Sequence, residues 1–475
     1  MSFSTTRPTT ASAPSSVAWP KVAWSKVVCS EDFHHQPLTG VTMKPNPLLL
    51  SLLATGLCGL PLAAQAQSAQ DFEALRNELK ALRAELDQIK ARQPAPSSAP
   101  AASASAWSER IDAVELRQKD AVVLGDIPGS FRLPDSETSI RIYGQAEANL
   151  VKDFKGTAPG DIFSNVMEQP LGASRSGKMA LTAQTSRLGL ETSTPTSNGT
   201  FNTKVEADFY AYCDADSTCL RNRLRLRHAY GEYAGWLVGQ TWSTFVDADN
   251  SPETVDFNGP PGFPGGRMMQ VRYTYNVPAV AKFQFALEGL NDGIKFPNFV
   301  ARVDKAFDWG STNIRLLSHE QHIDGVSKRG LGLGLGAGVK IGSTSTLMAQ
   351  YSLVDGDADA NYLTGANYPV LDGKTLRMDR SQGFLLGLGN VFSDKLRGMA
   401  SLGVVRSRQR LGDAYVNTYG AQGNRQLLQW HVGMYYLPIK NVELGSELLG
   451  GRRTTFDGSK GDLLRLNLQA RYLFN

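Results

Sequence analysis

RLRLRHAYGEYAGWLVGQTWSTFVDADNSPETVDFNGPPG, residues 223–262, carries the pattern that decides the fold. Its opening residues alternate, because successive strand side chains face opposite sides of a sheet. Arg223, Arg225 and Arg227 point one way, and Leu224, Leu226, His228 and Tyr230 the other. A soluble sheet would bury that apolar face against helices or a second sheet, and the chain has little sequence of that kind after residue 139. In a membrane barrel the same face meets lipid and the arginines meet water. Ala234-Gly235 reverses the chain into WLVGQTW, and an acid-, proline- and glycine-rich stretch follows. An acidic loop at 244–265, carrying Asp247, Asp249, Glu253 and Asp256, is therefore expected to fold inward as a constriction and face the arginine ladder across a pore.

Working outward, the two-residue period persists from Ser139 to the end of the chain. The spacing predicts strands at 139–153, 178–193, 200–212, 223–233, 236–243, 266–276, 281–289, 297–307, 311–320, 330–341, 344–353, 381–392, 395–407, 425–437, 441–451 and 463–474. Short turns such as 194–199, 234–235 and 342–343 alternate with generally longer connections, the largest at 154–177, 244–265, 354–380 and 408–424. That asymmetry is the habit of outer-membrane barrels, with short periplasmic turns and long external loops. The fold class read here is all-β: a transmembrane antiparallel barrel of about 16 strands over 139–475, preceded by an N-terminal parallel coiled-coil helix. The absence of any run of eighteen apolar residues excludes a spanning helix, and a barrel needs none.

Assigned from their apolar neighbours, Arg141, Arg187, Arg223, Arg225, Arg227 and Arg272 line the lumen. So do Arg302, Arg315, Arg397, Arg465, Arg471, Glu147, Glu191, Glu206, Asp208, Glu288 and Asp304. A guanidinium is always charged and offers forked donors to carboxylates, so three on one strand favour anionic solutes. Gly332, Gly334, Gly336 and Gly338 share that inward face. They either make room for an inserted loop or bend the strand at a barrel corner.

The N-terminal part reads differently. Met43-Lys44, the apolar Leu48–Leu62 and Ala64-Gln65-Ala66 form a basic start, an apolar core and a small-x-small cleavage site, so 43–66 is expected to be a secretory signal. Residues 1–42 then read as an upstream extension, with Met43 the true start. Loss of 1–66 removes Arg7, Lys21, Lys26, Lys44, Glu31 and Asp32, so the net charge of +4 falls by two. A balance so close to neutral names no nucleic-acid partner. Phe72, Leu75, Leu79, Leu82, Leu86 and Ile89 recur at intervals of three and four, with Asp71, Glu78 and Glu85 at g facing Arg76, Arg83 and Lys90 at e. This is expected to be a parallel coiled coil over 67–93, joined to the barrel by a Pro/Ala/Ser linker and connector at 94–138. Cys213 and Cys219 share one predicted loop, and in an exported chain they are expected to form a disulfide. Among the exported histidines only His319 and His322 are neighbours, on a predicted loop edge where they share no face, so no metal site is expected. No serine sits in a nucleophile setting; no catalytic residue and no cofactor is read.

GDIPGSFRLP at 125–134, SIRIYG at 139–144, TSRLGLETSTPT at 185–196, RLRHAYGEY at 225–233 and VGQTWSTFVDADNSPETVDFNGPPG at 238–262 resemble the DcaP-like family of outer-membrane porins. The resemblance covers most of the exported chain through Tyr275 and fades in the C-terminal strands. It implies a homotrimer of sixteen-stranded barrels with periplasmic helices in a coiled coil, and diffusion of small anions, notably dicarboxylic and aromatic acids. It also makes Arg223, Arg225, Arg227, Arg272, Asp247, Asp249, Glu253 and Asp256 the pore-lining residues. The expected partners are thus two further copies, outer-membrane lipid and small anionic solutes, with the coil placed near peptidoglycan. Two other readings remain: a structural tether that uses the coil, and a less selective general or sugar porin.

Overall fold

The computed structural model describes residues 123–156, 162–172, 177–210, 223–289, 295–357, 362–408 and 411–474. The leader at 43–66, the coil positions from Phe72 to Ile89, the 94–106 linker and the Cys213–Cys219 pair lie outside the described residues.

Sixteen strands form one sheet: β1 (Ser139–Lys155), β2 (Arg187–Thr196), β3 (Gly199–Asp208), β4 (Arg225–Tyr233), β5 (Trp236–Trp242), β6 (Arg267–Val277), β7 (Ala281–Glu288) and β8 (Asn298–Phe307). They continue as β9 (Gly310–Ile323), β10 (Val326–Ile341), β11 (Ser345–Asp355), β12 (Arg380–Ser393), β13 (Leu396–Ser407), β14 (Asn424–Tyr436), β15 (Val442–Thr455) and β16 (Lys460–Phe474). Each pairs antiparallel with the next, and β16 returns to β1 in a ladder from Leu464↔Lys155 to Phe474↔Gly144. The sheet is closed, and no edge is left for hydrocarbon to meet. The second span starts early: Met179–Thr182 pairs with β1, the chain breaks at 183–186, and β2 resumes the ladder at Arg187.

Side-chain polarity is inverted relative to a soluble protein. Phe285, Ile314, Leu316, Leu331, Val432, Met434 and Tyr472 stand exposed on the outside, while Gln270, Asn313, Arg315, Gln350, Gln429, Glu447, Arg465 and Asn467 are buried within. Exposed apolar surface over the whole circumference makes sense only with lipid as the solvent.

Turn and strand geometry bear out one expected hairpin and correct three expectations. Ala234 (φ 49°) and Gly235 (φ 84°) both take the left-handed backbone that a two-residue hairpin needs. Asp324 (φ 47°) and Gly325 (φ 81°) do the same, so β9 and β10 run to Ile323 and from Val326 instead of stopping at 320 and 330. His319 and His322 therefore sit on a strand, not a loop edge, and His319 is fully buried. The third correction lies in β4. Register shifts between Glu206↔His228 and Ala207↔Leu226, which leaves Arg227 as the extra residue of a bulge. Arg227 and His228 are both buried, so the expected strict alternation, with His228 and Tyr230 facing lipid, ends at Leu226. His228 Nδ1 lies 2.9 Å from Thr241 Oγ1 instead.

Candidate functional site

The barrel interior has two differently used walls. The segment between β5 and β6 turns inward, as expected for 244–265, and lies against the wall from β8 to β16. Phe245, Asp247, Val255, Asp256, Phe257 and Phe263 are buried. Arg315 Nη1 donates to Phe245 O at 2.7 Å, Asn313 Nδ2 to Asp247 Oδ2 at 2.6 Å, and Gln350 Nε2 to Asp247 O at 2.9 Å and Asn250 O at 3.0 Å. Glu447 accepts the backbone N–H groups of Val255 (3.0 Å) and Asp256 (2.9 Å). Glu253 forms a forked pair with Arg397 at 2.7 and 2.9 Å, and Arg397 and Arg471 both reach Glu443. These backbone groups have left the sheet and lost water, so each needs a partner from the wall.

Glycines on that wall make the close approach feasible. A Cβ at Gly336 would stand 1.9 Å from Asp247 Oδ2, and one at Gly338 2.3 Å from Asn250 Oδ1. Gly387 and Gly403 similarly admit Pro252 and Pro260-Pro261. Of the two readings left open for the glycine series, room for an inserted segment is the one that Gly336 and Gly338 fulfil. Gly332 and Gly334 instead lie against Leu317 and Arg315.

Two more connections enter from the same end. Ser164 donates through its Oγ (2.8 Å) and its backbone N (2.7 Å) to Asp256, while Thr364 Oγ1 accepts from Gly262 N at 2.9 Å. Val166 packs with Val405, Leu427, Leu449 and Leu463, and Tyr362 and Leu363 with Phe245. Sequence reasoning singled out none of these anchors; the signal available was the polar side chains at inward positions of β11, β14 and β15.

The opposite wall, β1 to β6, carries the basic groups. Arg225 makes a forked pair with Asp208, and Arg227 reaches Glu206 (2.6 Å) and Asp208 (3.1 Å). Arg187 lies 3.5 Å from Glu206, Lys204 3.3 Å from Glu191, and Arg141 3.2 Å from Glu191. Asp208, Glu206 and Lys204 alternate along β3, so the partners climb the wall at about 7 Å per step. Arg267 stacks 3.7 Å over the Trp242 ring and is near enough to Arg187, Arg225 and Arg227 to sense their charge. Its Nε and Nη2 have no hydrogen-bond partner among the described residues. Arg272 is half-buried between β5 and β7, within the field of Glu288 and Glu232.

Two expectations about this wall change. Arg223 precedes β4 and is exposed, so the ladder consists of Arg225 and the bulged Arg227. Nor do the loop acids face that ladder as an opposing charged wall. Asp247 lies 3.6 Å from Arg302, Asp256 3.8 Å from Arg465, and Glu253 pairs with Arg397, all on the side where the segment is held; Asp249 is exposed. What the segment presents to the ladder is the Phe257 ring, 5.6 Å from both the Arg225 and the Arg227 guanidinium and 4.7 Å from Phe163. Acids anchored to arginines along one wall satisfy charges that would otherwise be buried alone.

A closed barrel with an inserted segment narrows the candidates, and the family comparison decides among them: the model described as DcaP outer membrane protein matches residues 66–474. The chain belongs to the DcaP outer membrane protein family. A DcaP-type barrel of this kind is an outer-membrane porin. Among solved structures, the outer membrane channel DcaP of Acinetobacter baumannii shares 27% identity at a TM-score of 0.64, over 74% of this chain and 100% of that one. OmpF of Salmonella typhi shares 15% at 0.49 (71% and 98%), and the anion-selective porin of Comamonas acidovorans 12% at 0.47 (71% and 100%). No curated protein matches the chain.

Proposed function

We propose that this DcaP-family porin is a passive, trimeric channel for small organic anions, with dicarboxylic and aromatic acids as the preferred solutes. The observation that carries the reading is the charge balance of the wall from β1 to β6. There Arg141, Arg187, Lys204, Arg225, Arg227, Arg267 and Arg272 outnumber Glu147, Glu191, Glu206, Asp208 and Glu232, while the acids of the inserted segment are held by arginines of the other wall. A solute carboxylate passing down the wall meets cations at successive steps, each already oriented by a neighbouring acid. The half-buried Trp242 ring offers an apolar contact to an aromatic solute beside them. Because the cations are partly neutralised, the channel is selective without trapping its solute, as conduction requires.

In this reading 244–265 is the constriction and Arg141, Arg187, Arg225, Arg227 and Arg272 line the pore. Residues 43–66 direct export, and 67–93 join three copies in the periplasm. The test is the reversal potential of the channel in planar bilayers under a salt gradient, paired with liposome swelling in dicarboxylates, amino acids and neutral sugars. Anion-directed reversal and faster swelling in dicarboxylates are expected, and both weaken in Arg225→Gln/Arg227→Gln/Arg267→Gln. A cation-directed potential refutes the selectivity.

A further inference from the structure

A recess of about 460 Å³ lies on the outer surface at the end of the barrel from which the longer connections leave, across β14, β15, β16 and β1. Its upper part is basic. Lys155, Arg452 and Lys460 surround Asp462, which Arg452 holds through Nε at 2.6 Å and Nη2 at 3.2 Å. One carboxylate among three cations leaves two positive charges in excess at this rim of the barrel.

Lys155 is there because of a bulge. Asp153 pairs with Arg465 and points inward, as plain alternation would also require of Lys155. The register shifts between Leu464 and Arg465, however, and Lys155 emerges opposite the outward Leu464, on the lipid side. The lower part of the recess is apolar and hollow. Leu428, Trp430 and Leu464 line it, and Gly450 stands opposite Trp430. A Cβ on Gly450 would come within 2.6 Å of the indole, so the missing side chain lets the ring lie close to the sheet.

Lysines, arginines and tryptophans at a lipid interface are ordinary one by one. Three cations converging over an apolar hollow, floored by an indole that lies close on a glycine, are a shape with a polarity, and it matches an amphiphile with a phosphate head and acyl chains. We propose that this recess binds one phosphorylated lipid of the outer leaflet. Its phosphate sits among Lys155, Arg452 and Lys460, and one chain runs along Leu428, Trp430 and Leu464. The site is on the lipid side of the wall and is independent of what the pore conducts.

The full chain, purified in detergent, is titrated with lipid A and with its dephosphorylated form and observed by native mass spectrometry. Wild type is expected to retain one lipid A with at least about tenfold preference over the dephosphorylated form. Lys155→Gln/Arg452→Gln/Lys460→Gln loses that preference, whereas Gly450→Leu weakens both forms alike, and neither changes ion selectivity. Heat-shifted gel migration checks that each barrel is folded, and the single Lys460→Gln serves if the triple variant is not. Undiminished preference in the charge variants overturns the proposal. So does wild type that takes up no lipid, as it would if a second copy covered the recess, or complete displacement of the lipid by millimolar inorganic phosphate.

Discussion

Gly336→Ala puts the inserted segment to its most direct test. The new methyl carbon would stand 1.9 Å from Asp247 Oδ2 and 2.7 Å from Asn313 Nδ2, whereas ordinary contact begins at 3.4 Å, so the Asp247 carboxylate must retreat by about 1.5 Å. It cannot do so freely. Asn313 holds it at 2.6 Å and Asn250 at 3.0 and 2.9 Å, and Gln350 ties the backbone of the same turn to β11. Either the strand gives or the turn at 247–251 lifts from the wall into the lumen. Overpacking of this kind costs about 1–3 kcal/mol, and each hydrogen bond to a charged group that is lost adds about 1.5–3 kcal/mol. Single-channel conductance in planar bilayers is expected to fall, along with the denaturant midpoint of the refolded barrel. Gly433→Ala is the matched control: it is also buried on the inner face, but its Cβ would meet nothing nearer than 3.5 Å. Wild-type conductance and stability in a folded Gly336→Ala channel would mean that the segment does not rest on this wall.

Three further outcomes are expected. Arg225→Gln shifts the reversal potential toward the cation side, and Arg223→Gln, exposed ahead of β4, leaves it unchanged; equal effects would put Arg223 back in the pore. Arg397→Ala strips Glu253 of its forked partner and Glu443 of one of two, so open-channel recordings should become noisier with brief closures, and a quiet trace would count against the latch. Arg465 is fully buried with Asp153 at 2.7 Å and Asp256 at 3.8 Å. Arg465→Met should therefore cost about 3–5 kcal/mol in urea unfolding, because two carboxylates lose their common cation; a change below 1 kcal/mol would contradict that pairing.

The barrel was largely legible because lipid imposes an apolar residue at every second position, and that constraint is local. Leu331, Leu333 and Leu335 or Trp430, Val432 and Met434 announce their strands without reference to any other part of the chain. The interior was legible in kind but not in pairing. That Arg302, Arg397 and Arg465 face inward follows from alternation; that they hold the inserted segment does not, since Glu253 and Arg397 are 144 residues apart and Val255 and Glu447 are 192 apart. The bulge at Arg227 adds a residue without any compositional mark, so a strict period carried past it turned His228 and Tyr230 the wrong way. Asp324-Gly325 was a hairpin signal in plain view, obscured by the polar run from Ser318 to Lys328.

The seam between β16 and β1 has a consequence for assembly. The partner of the first strand is the sixteenth, so the cylinder cannot be sealed until Lys460–Phe474 is available, and every earlier hairpin must wait as an open ribbon with two bare margins. Phe474, whose ring lies where a side chain on Gly144 would have to stand, acts as the clasp of that cylinder. A chain shortened by even one strand would therefore fail as an insertion-competent object, rather than yield a smaller channel.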